Sequence, residues 1–412
     1  MNNETNKKFF NEKMQLSPYN YDPRITSQIN LADQVTLCDA TLREGAQGSI
    51  IGFTLPEKIE ILKRSAEAGI KHFQIGTLMD LDSMKALMKE IRVLNLDVET
   101  EMLGGAQGAD WKSELDRNLD VGTTYIDILS LLTPYSVALN QGKSMDTVIG
   151  NMGEQIAYLV AHGARVSYDP MDAPRTDFDT LMKAYKTAVD AGAERIRVLD
   201  SVGTASPATW RFLVSTIRNE FKDVKLCVHC HNDYGQAMAN VYTAIECGAD
   251  MVDVCINGLG ERAGNPALAE VAAGAAILYD RDTGVKLDKM YELSKIVADI
   301  ARQPLERNKP IVGEWAFAHG DEGHHQTNHF APWAFEGIHA DVFGNYQKIL
   351  IGNMAGTYAT KAKLEMLGYQ EVTEDVAKAI NSEIKHETTI RKVVLDDECI
   401  TRIADKYIRR LK

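Results

Sequence analysis

Along most of the chain, short apolar runs alternate with longer amphipathic ones. From Val35 onward, eight short runs, most of them rich in β-branched residues, read as strands: 35–38, 72–75, 98–102, 125–129, 165–168, 195–199, 226–231 and 251–256. Between them, helix-like patterns run over 55–68, 82–93, 147–161, 177–191, 207–221, 234–247 and 267–278. Gly69, Gly163, Gly192 and Gly248 each follow such a stretch, where a left-handed residue closes a helix at little cost. Eight strands with intervening helices over about 250 residues predict an α/β fold, a (β/α)8 TIM barrel. An open, doubly wound sheet is the competitor, but no Gly-x-Gly-x-x-Gly follows the first strand. The predicted layout is an N-terminal tail or strap over 1–30, a catalytic barrel over 31–283 and mostly helical C-terminal linker or lid subdomains over 284–412.

Composition narrows the class. A chain of 412 residues that is 45% hydrophobic can bury a large core. Its net charge of -13 argues against nucleic acid or an anionic membrane as a partner, since both are negatively charged. Six scattered cysteines make no disulfide framework, which points to a reducing, cytoplasmic setting. Cys227 and Cys230 have redox or zinc spacing, but strand alternation sends their thiols to opposite faces. No apolar run is long enough to span a bilayer, and the polar start lacks a signal-peptide core.

The chemistry gathers in three stretches. On the strand 226–231, His229 and His231 share one face, so both imidazoles can reach one metal ion. Taken alone, the pair fits two buried, hydrogen-bonded histidines equally well. Asp39, at the end of the first strand, offers a third, oxygen ligand suited to a divalent cation. Arg43, with Glu44 beside it, brings a fixed positive fork for an oxygen that gains charge; a capping Asp39 and a surface Arg43–Glu44 pair are the plain alternative. The Gly-rich loop 257–264 follows the last strand, at the end where barrels place their chemistry.

Three motifs, Asp39-Ala-Thr-Leu-Arg43-Glu44-Gly45, His229-Cys-His231-Asn-Asp233 and Gly258-Leu-Gly-Glu-Arg-Ala-Gly-Asn265, together resemble the metal-dependent acyl-CoA synthase and lyase superfamily. Its members include isopropylmalate, citramalate and homocitrate synthases and hydroxymethylglutaryl-CoA lyase. The likeness covers roughly residues 33–412 and is closest in pattern to homocitrate synthase-like enzymes. It implies an acyltransferase that condenses acetyl-CoA, as co-substrate, with a 2-oxo acid in a Claisen-type reaction. It also implies a divalent cation (Zn, Mn, Mg or Co) on Asp39, His229 and His231, with Asn265 as a fourth or outer ligand. Arg43 and Glu44 are expected at the reacting centre. Gly323-His324-His325-Gln326 resembles the setting of a histidine that acts over a neighbouring subunit's barrel in a homodimer. His325 is the choice there, with His324 as its alternative.

Substrate contacts are expected from Gln47, Ser167, Ser201 and Arg165, the last reading a distal anionic group on the oxo acid. Arg165 starting its strand in water is the competing reading, and an aliphatic 2-oxo acid would then take the diacid's place. Departures from the family pattern are Ala46 and Gln74 where glutamates are usual, Ser201 for threonine, and two extra residues between Ser167 and Arg175. A lyase of the hydroxymethylglutaryl-CoA type would carry a cysteine in the loop 257–265, which has none. A non-catalytic metal-binding relative is the other rival. The end at residue 412 is too early for the leucine-sensing domain of many isopropylmalate synthases.

Overall fold

The structure is a computed structural model, and it describes residues 7–408 apart from 49–51, 107–109, 137–138 and 141. Eight parallel strands close a barrel: β1 (Thr36–Asp39), β2 (His72–Thr77), β3 (Glu99–Gly104), β4 (Tyr125–Leu131), β5 (Arg165–Met171), β6 (Arg195–Asp200), β7 (Lys225–Cys230) and β8 (Met251–Val254). Each pairs with its sequence neighbour, and β8 closes on β1 with Val254 opposite Asp39. The connecting helices are α1 (Leu55–Glu67), α2 (Leu81–Val93), α3 (Trp111–Leu119), α4 (Met145–Ala161), α5 (Phe178–Asp190), α6 (Pro207–Glu220), α7 (Ala237–Glu246) and α8 (Leu268–Leu278). All eight expected strands and the (β/α)8 reading are therefore found. The unexpected helix is α3. It is short and polar and buries only Leu115 and Asn118, so its apolar period is too weak to read.

Local chemistry sets the helix ends. Thr54 and Glu57 form a capping box on α1, while Ser144, Asp177 and Ser206 accept from the third backbone N–H of α4, α5 and α6. Gly69, Gly163, Gly192 and Gly248 all take positive φ as their helices end.

The chain divides into two compact units, Tyr19–Leu305 and Met1–Pro18 with Glu306–Lys412. The barrel unit keeps α9 (Met290–Ala301), beyond the expected boundary at 283. The segment expected as one tail over 1–30 is shared: Tyr21 donates to Ile277 O in the barrel unit, whereas Met14 bridges Ile338 in the other. That second unit carries α10 (Glu322–Phe330), α11 (Thr357–Met366), α12 (Glu374–Arg391) and α13 (Asp397–Ile408). Its core gathers Ile351, Leu364, Ile380, Ile384 and Ile403. Among the described residues, no helix is long and apolar enough to cross a membrane.

Candidate metal centre

Because side chains alternate along a strand, each barrel strand sends every second residue into the lumen. Cys38, Glu101, Asp127, Asp169, Arg197, His229 and Asp253 meet there and are all buried. The lower lumen is ionic. Arg197 faces Glu101, Asp127, Asp169 and Asp253, and Arg195 faces Glu99 and Glu101. Burial works to raise the carboxyl of Glu101, but Arg197 and Arg195 outweigh it and hold it at about 2. Burial, with Glu101 and Asp169 close by, pushes Asp127 well up.

At the carboxyl end of the strands, three groups converge. Ligand atoms of Glu44, His229 and His231 lie within 4.8 Å of one another. The two Nε2 atoms are 3.4 Å apart, His231 Nε2 is 3.6 Å from Glu44 Oε1 and His229 Nε2 is 3.9 Å from Glu44 Oε2. His229 Nδ1 is 2.9 Å from Asp253 Oδ2, and donating its proton there leaves Nε2 as a bare lone pair. Burial lowers the pKa of both histidines, strongly for His229, so each imidazole is neutral near pH 7. Burial also works to raise Glu44, but the Arg43 guanidinium beside it wins and holds it at about 2.

The lone pair on His229 Nε2 and the Glu44 carboxylate face each other at 3.9 Å, and a cation between them relieves their repulsion. Neutral imidazoles with an ionised carboxylate are the donor set of a divalent cation, whose ligand distances of about 2.0–2.2 Å these separations can accommodate. Asn265 Nδ2 lies 3.3 Å from His229 Nε2, and its buried Oδ1 has no hydrogen-bond partner. The residues present therefore fit a divalent metal, with Asn265 at its edge. The Gly-rich loop exists to make room: a Cβ on Gly260 would lie 2.0 Å from Asn265 Oδ1, and Gly264 (φ +83) would press 2.0 Å from Gly258 O.

Asp39 is not part of this cluster, which corrects the ligand set expected from sequence. Cys38 takes the lumen position on β1, its Sγ 3.4 Å from Glu101, so Asp39 must face outward. There it accepts from Thr41 N and from Ser65 Oγ of α1, and burial, only partly offset by these bonds, raises its pKa to about 6. A helical turn, in which the N–H groups of Arg43 and Glu44 both return to Ala40 O, swings Glu44 over the lumen instead. Glu44, expected in a catalytic role, is thus the carboxylate beside the imidazoles. Arg43 lies against it and donates from Nε to Gln74 Oε1 at 2.9 Å, with Gln47 3.5 Å from Nη1.

Arg165 is a second correction. It begins β5 at the opposite end of the barrel, 43% exposed, bound to Glu194 at 2.8 Å and Glu99 at 3.1 Å, with its guanidinium over Tyr125. Ser167 does face the lumen, but deep within it, giving its hydroxyl to Asp169 at 3.1 Å. β5 ends at Met171, so Met171 and Asp172 stand at the mouth. Ser201 lies at the mouth as expected, its Oγ accepting from Asp172 N at 2.9 Å. His325, in the second unit, is buried with Nε2 unpartnered, and burial lowers its pKa. His324 instead stacks on Phe335. Sequence reasoning missed Asp253 and Arg197, although a carboxylate and an arginine alternating with aliphatics inside barrel strands are themselves signs of a polar lumen.

The HMGL-like family model matches residues 34–297, the whole barrel. The chain belongs to the HMGL-like family. It is similar to the 2-isopropylmalate synthase of Methanocaldococcus jannaschii, 36% identical over 384 residues that cover 93% of this chain and 72% of that protein. It is also similar to the homocitrate synthase AksA of Methanothermobacter thermautotrophicus, 31% identical over 388 residues, 94% of this chain and 96% of that one. Among solved structures, the HMG-CoA lyase of Brucella melitensis superposes with a TM-score of 0.57 at 16% identity, over 66% of this chain and all of that one. At that identity the likeness speaks for the fold alone. With synthases as its relatives along nearly its whole length, this HMGL-like protein is an acyltransferase.

Proposed function

We propose that the protein condenses acetyl-CoA with a 2-oxo acid whose side chain is apolar. The acetyl methyl loses a proton and bonds to the ketone carbon, and water then splits the thioester, leaving a 2-hydroxy-2-alkyl diacid and free CoA. Glu44, His229 and His231 would hold a divalent cation, with Asn265 beside them. When bound, that cation polarises the ketone and orients the carboxylate next to it. Arg43, fixed by Glu44 and Gln74, stands ready to stabilise negative charge growing on the substrate oxygen. His325, kept neutral by burial, is the candidate base for the methyl proton. If it acts over a second chain's barrel, mixing inactive Arg43→Ala and His325→Ala subunits restores activity.

One observation supports the apolar side chain. Above the ionic layer, the alternation that turns Glu101, Asp127, Asp169 and Arg197 inward also turns Leu103, Leu129, Met171 and Leu199 inward. Leu129 and Met171 also border a cavity of about 370 Å³ at the same end of the barrel, walled mainly by α3, α4 and their loops and touching none of Arg43, Glu44, His229 and His231. The lumen arginines beneath are already paired with carboxylates, and a second carboxylate brought there would stay unpaired, at a cost of several kcal/mol. A diacid would have to find its counter-ion off the strands, among loop residues such as Lys143, Arg175 and Arg262. The test is release of free CoA thiol from acetyl-CoA with a divalent metal and a panel of 2-oxo acids. The expected result is at least tenfold preference for 2-oxoisovalerate or a similar aliphatic acid over 2-oxoglutarate. Preference for a diacid overturns the substrate reading, and metal binding without thiol release on any acid overturns the activity.

A further inference from the structure

Beneath the candidate metal centre, one guanidinium is connected to both of its halves. Arg197 on β6 is fully buried. Its Nε forms an ion pair with Asp253 Oδ2 at 3.1 Å, without hydrogen-bond alignment, and its Nη2 donates to Glu101 Oε1 at 2.9 Å. Asp253 Oδ2 also meets His229 Nδ1 at 2.9 Å and accepts from Gln74 Nε2 at 3.0 Å. Glu101 Oε1 accepts from the same Gln74 Nε2 at 2.7 Å. Gln74 Oε1, in turn, accepts from Arg43 Nε. One path thus runs from Arg197 through Asp253 to His229, and another through Glu101 and Gln74 to Arg43.

We propose that Arg197 is the positioning residue of the centre, setting the ring of His229 and the guanidinium of Arg43 together. The proposal rests on the reading of Glu44, His229 and His231 as metal ligands. The residue types fit the role. Gln74 stands between two carboxylates that need donors and a guanidinium that needs an acceptor, and only a carboxamide serves both sides; a glutamate there would add a third carboxylate. A planar guanidinium can meet several carboxylates at once with a fixed orientation, which a lysine cannot. Arg195 supplies the internal contrast. It is also buried and bound to Glu101, but through Oε2 at 3.1 Å, and its other partners are Glu99, His72 and the Tyr125 ring. It has no bond to Gln74 or Asp253. If Arg197 merely neutralised buried charge, the two arginines would be equivalent.

The experiment compares wild type, Arg197→Met, Arg197→Lys and Arg195→Met as full-length proteins loaded with Co2+. The readouts are Co2+ affinity, the visible absorption of the bound ion, and kcat and KM for the oxo acid. Partners behind a metal ligand are typically worth 10–100-fold in affinity. Arg197→Met is expected to lose affinity in that range and to shift the absorption. Arg197→Lys, the variant more certain to fold, should show the same shift with a smaller loss, and kcat should fall in both. Arg195→Met should unfold at lower temperature yet keep its Co2+ affinity within about twofold. Folded Arg197→Lys with wild-type affinity and absorption overturns the proposal, as does an equal affinity loss in Arg195→Met. Wild type that takes up no Co2+ overturns the metal reading itself, a failure seen before any variant is compared.

Discussion

Arg197 and Glu44 lie in the same barrel lumen, one in its lower layer and one at its mouth, and their surroundings differ in kind. Arg197 is met by four carboxylates. Arg197 offsets only part of their desolvation, since burial still raises Asp127, Asp169 and Asp253, and the network fills the lower lumen with buried polar groups. Glu44 has Arg43 on one side, but on the other it faces His231 Nε2 and His229 Nε2, the latter without a proton when His229 Nδ1 donates to Asp253. The lower layer pairs its arginines with its carboxylates, and Cys38, Glu101 and Asp253 bring a second set of donor atoms together there; the upper layer leaves Glu44 facing His231 and His229 across gaps of 3.6 and 3.9 Å. In a lumen full of charge, the functional level is therefore the one where donor atoms point at each other across a gap.

The largest expected effect breaks that contrast at its carboxylate. Glu44→Gln keeps the shape but removes the anionic ligand, and should weaken divalent metal binding by at least about 100-fold, beyond what outer partners are worth. Asp39→Asn, five residues earlier, should leave affinity unchanged, because Asp39 faces Thr41 and Ser65 instead of the lumen. Equilibrium titration with Co2+ or Mn2+ decides between them. The opposite ranking would restore the ligand set first expected from the sequence.

That pair of carboxylates also marks how far the sequence could be read. The barrel was legible because strand and helix periods differ and glycines punctuate the joins. His229 and His231 were legible because they sit on one strand face. The carboxylate that joins them, Glu44, was not, since a carboxylate at the end of a strand reads as pointing inward. Alternation argues otherwise, as Cys38 and Asp39 cannot both face the lumen. The turn that brings Glu44 back depends on hydrogen bonds to Ala40 O, which no periodicity encodes. Arg165 misled for a related reason. Alternation gives the face of a residue but not its height along the strand, and Arg165, the first residue of β5, stands at the barrel's far end.

The apolar wall gives the next effect. Met171 stands at the mouth on the strand that carries Asp169, so Met171→Ala should open space beside the oxo-acid side chain. One methylene in such a pocket is worth about 1–3 kcal/mol, roughly 10–200-fold in selectivity. The kcat/KM ratio should shift by at least tenfold toward 2-oxo acids one or two carbons longer, read in the same thiol assay. An unchanged ratio places the side chain elsewhere.

Acidification separates the two layers more gently. Protons compete with a metal for imidazole, and at a Co2+ concentration near its dissociation constant an ordinary histidine pair begins to lose the cation as pH falls through about 6.5. Burial lowers the pKa of both His229 and His231, so the neutral, ligating form persists below that point. The midpoint of Co2+ release, followed by absorption, is expected below pH 6.5. A midpoint above it would mean that the histidines are solvated and the centre is more open than its burial indicates.

The smallest effect belongs to Arg165, and its smallness is the result that matters. Its side chain is 43% exposed and its partners Glu99 and Glu194 are 37% and 47% exposed, so water and salt screen both pairs. Exposed pairs of this kind contribute about 0–1 kcal/mol. Its cover of the Tyr125 ring is duplicated by Arg195, 3.4 Å from the centroid on the buried side. Arg165→Ala should therefore cost about 1 kcal/mol or less in a denaturant titration. It should also leave the ratio of kcat/KM for 2-oxoisovalerate over 2-oxoglutarate within about twofold of wild type, since nothing at that end of the barrel reaches Leu129 or Met171. A selective loss on the diacid of tenfold or more would mean that Arg165 senses the distal group from below, and the ionic layer would then have to be counted as part of the substrate site.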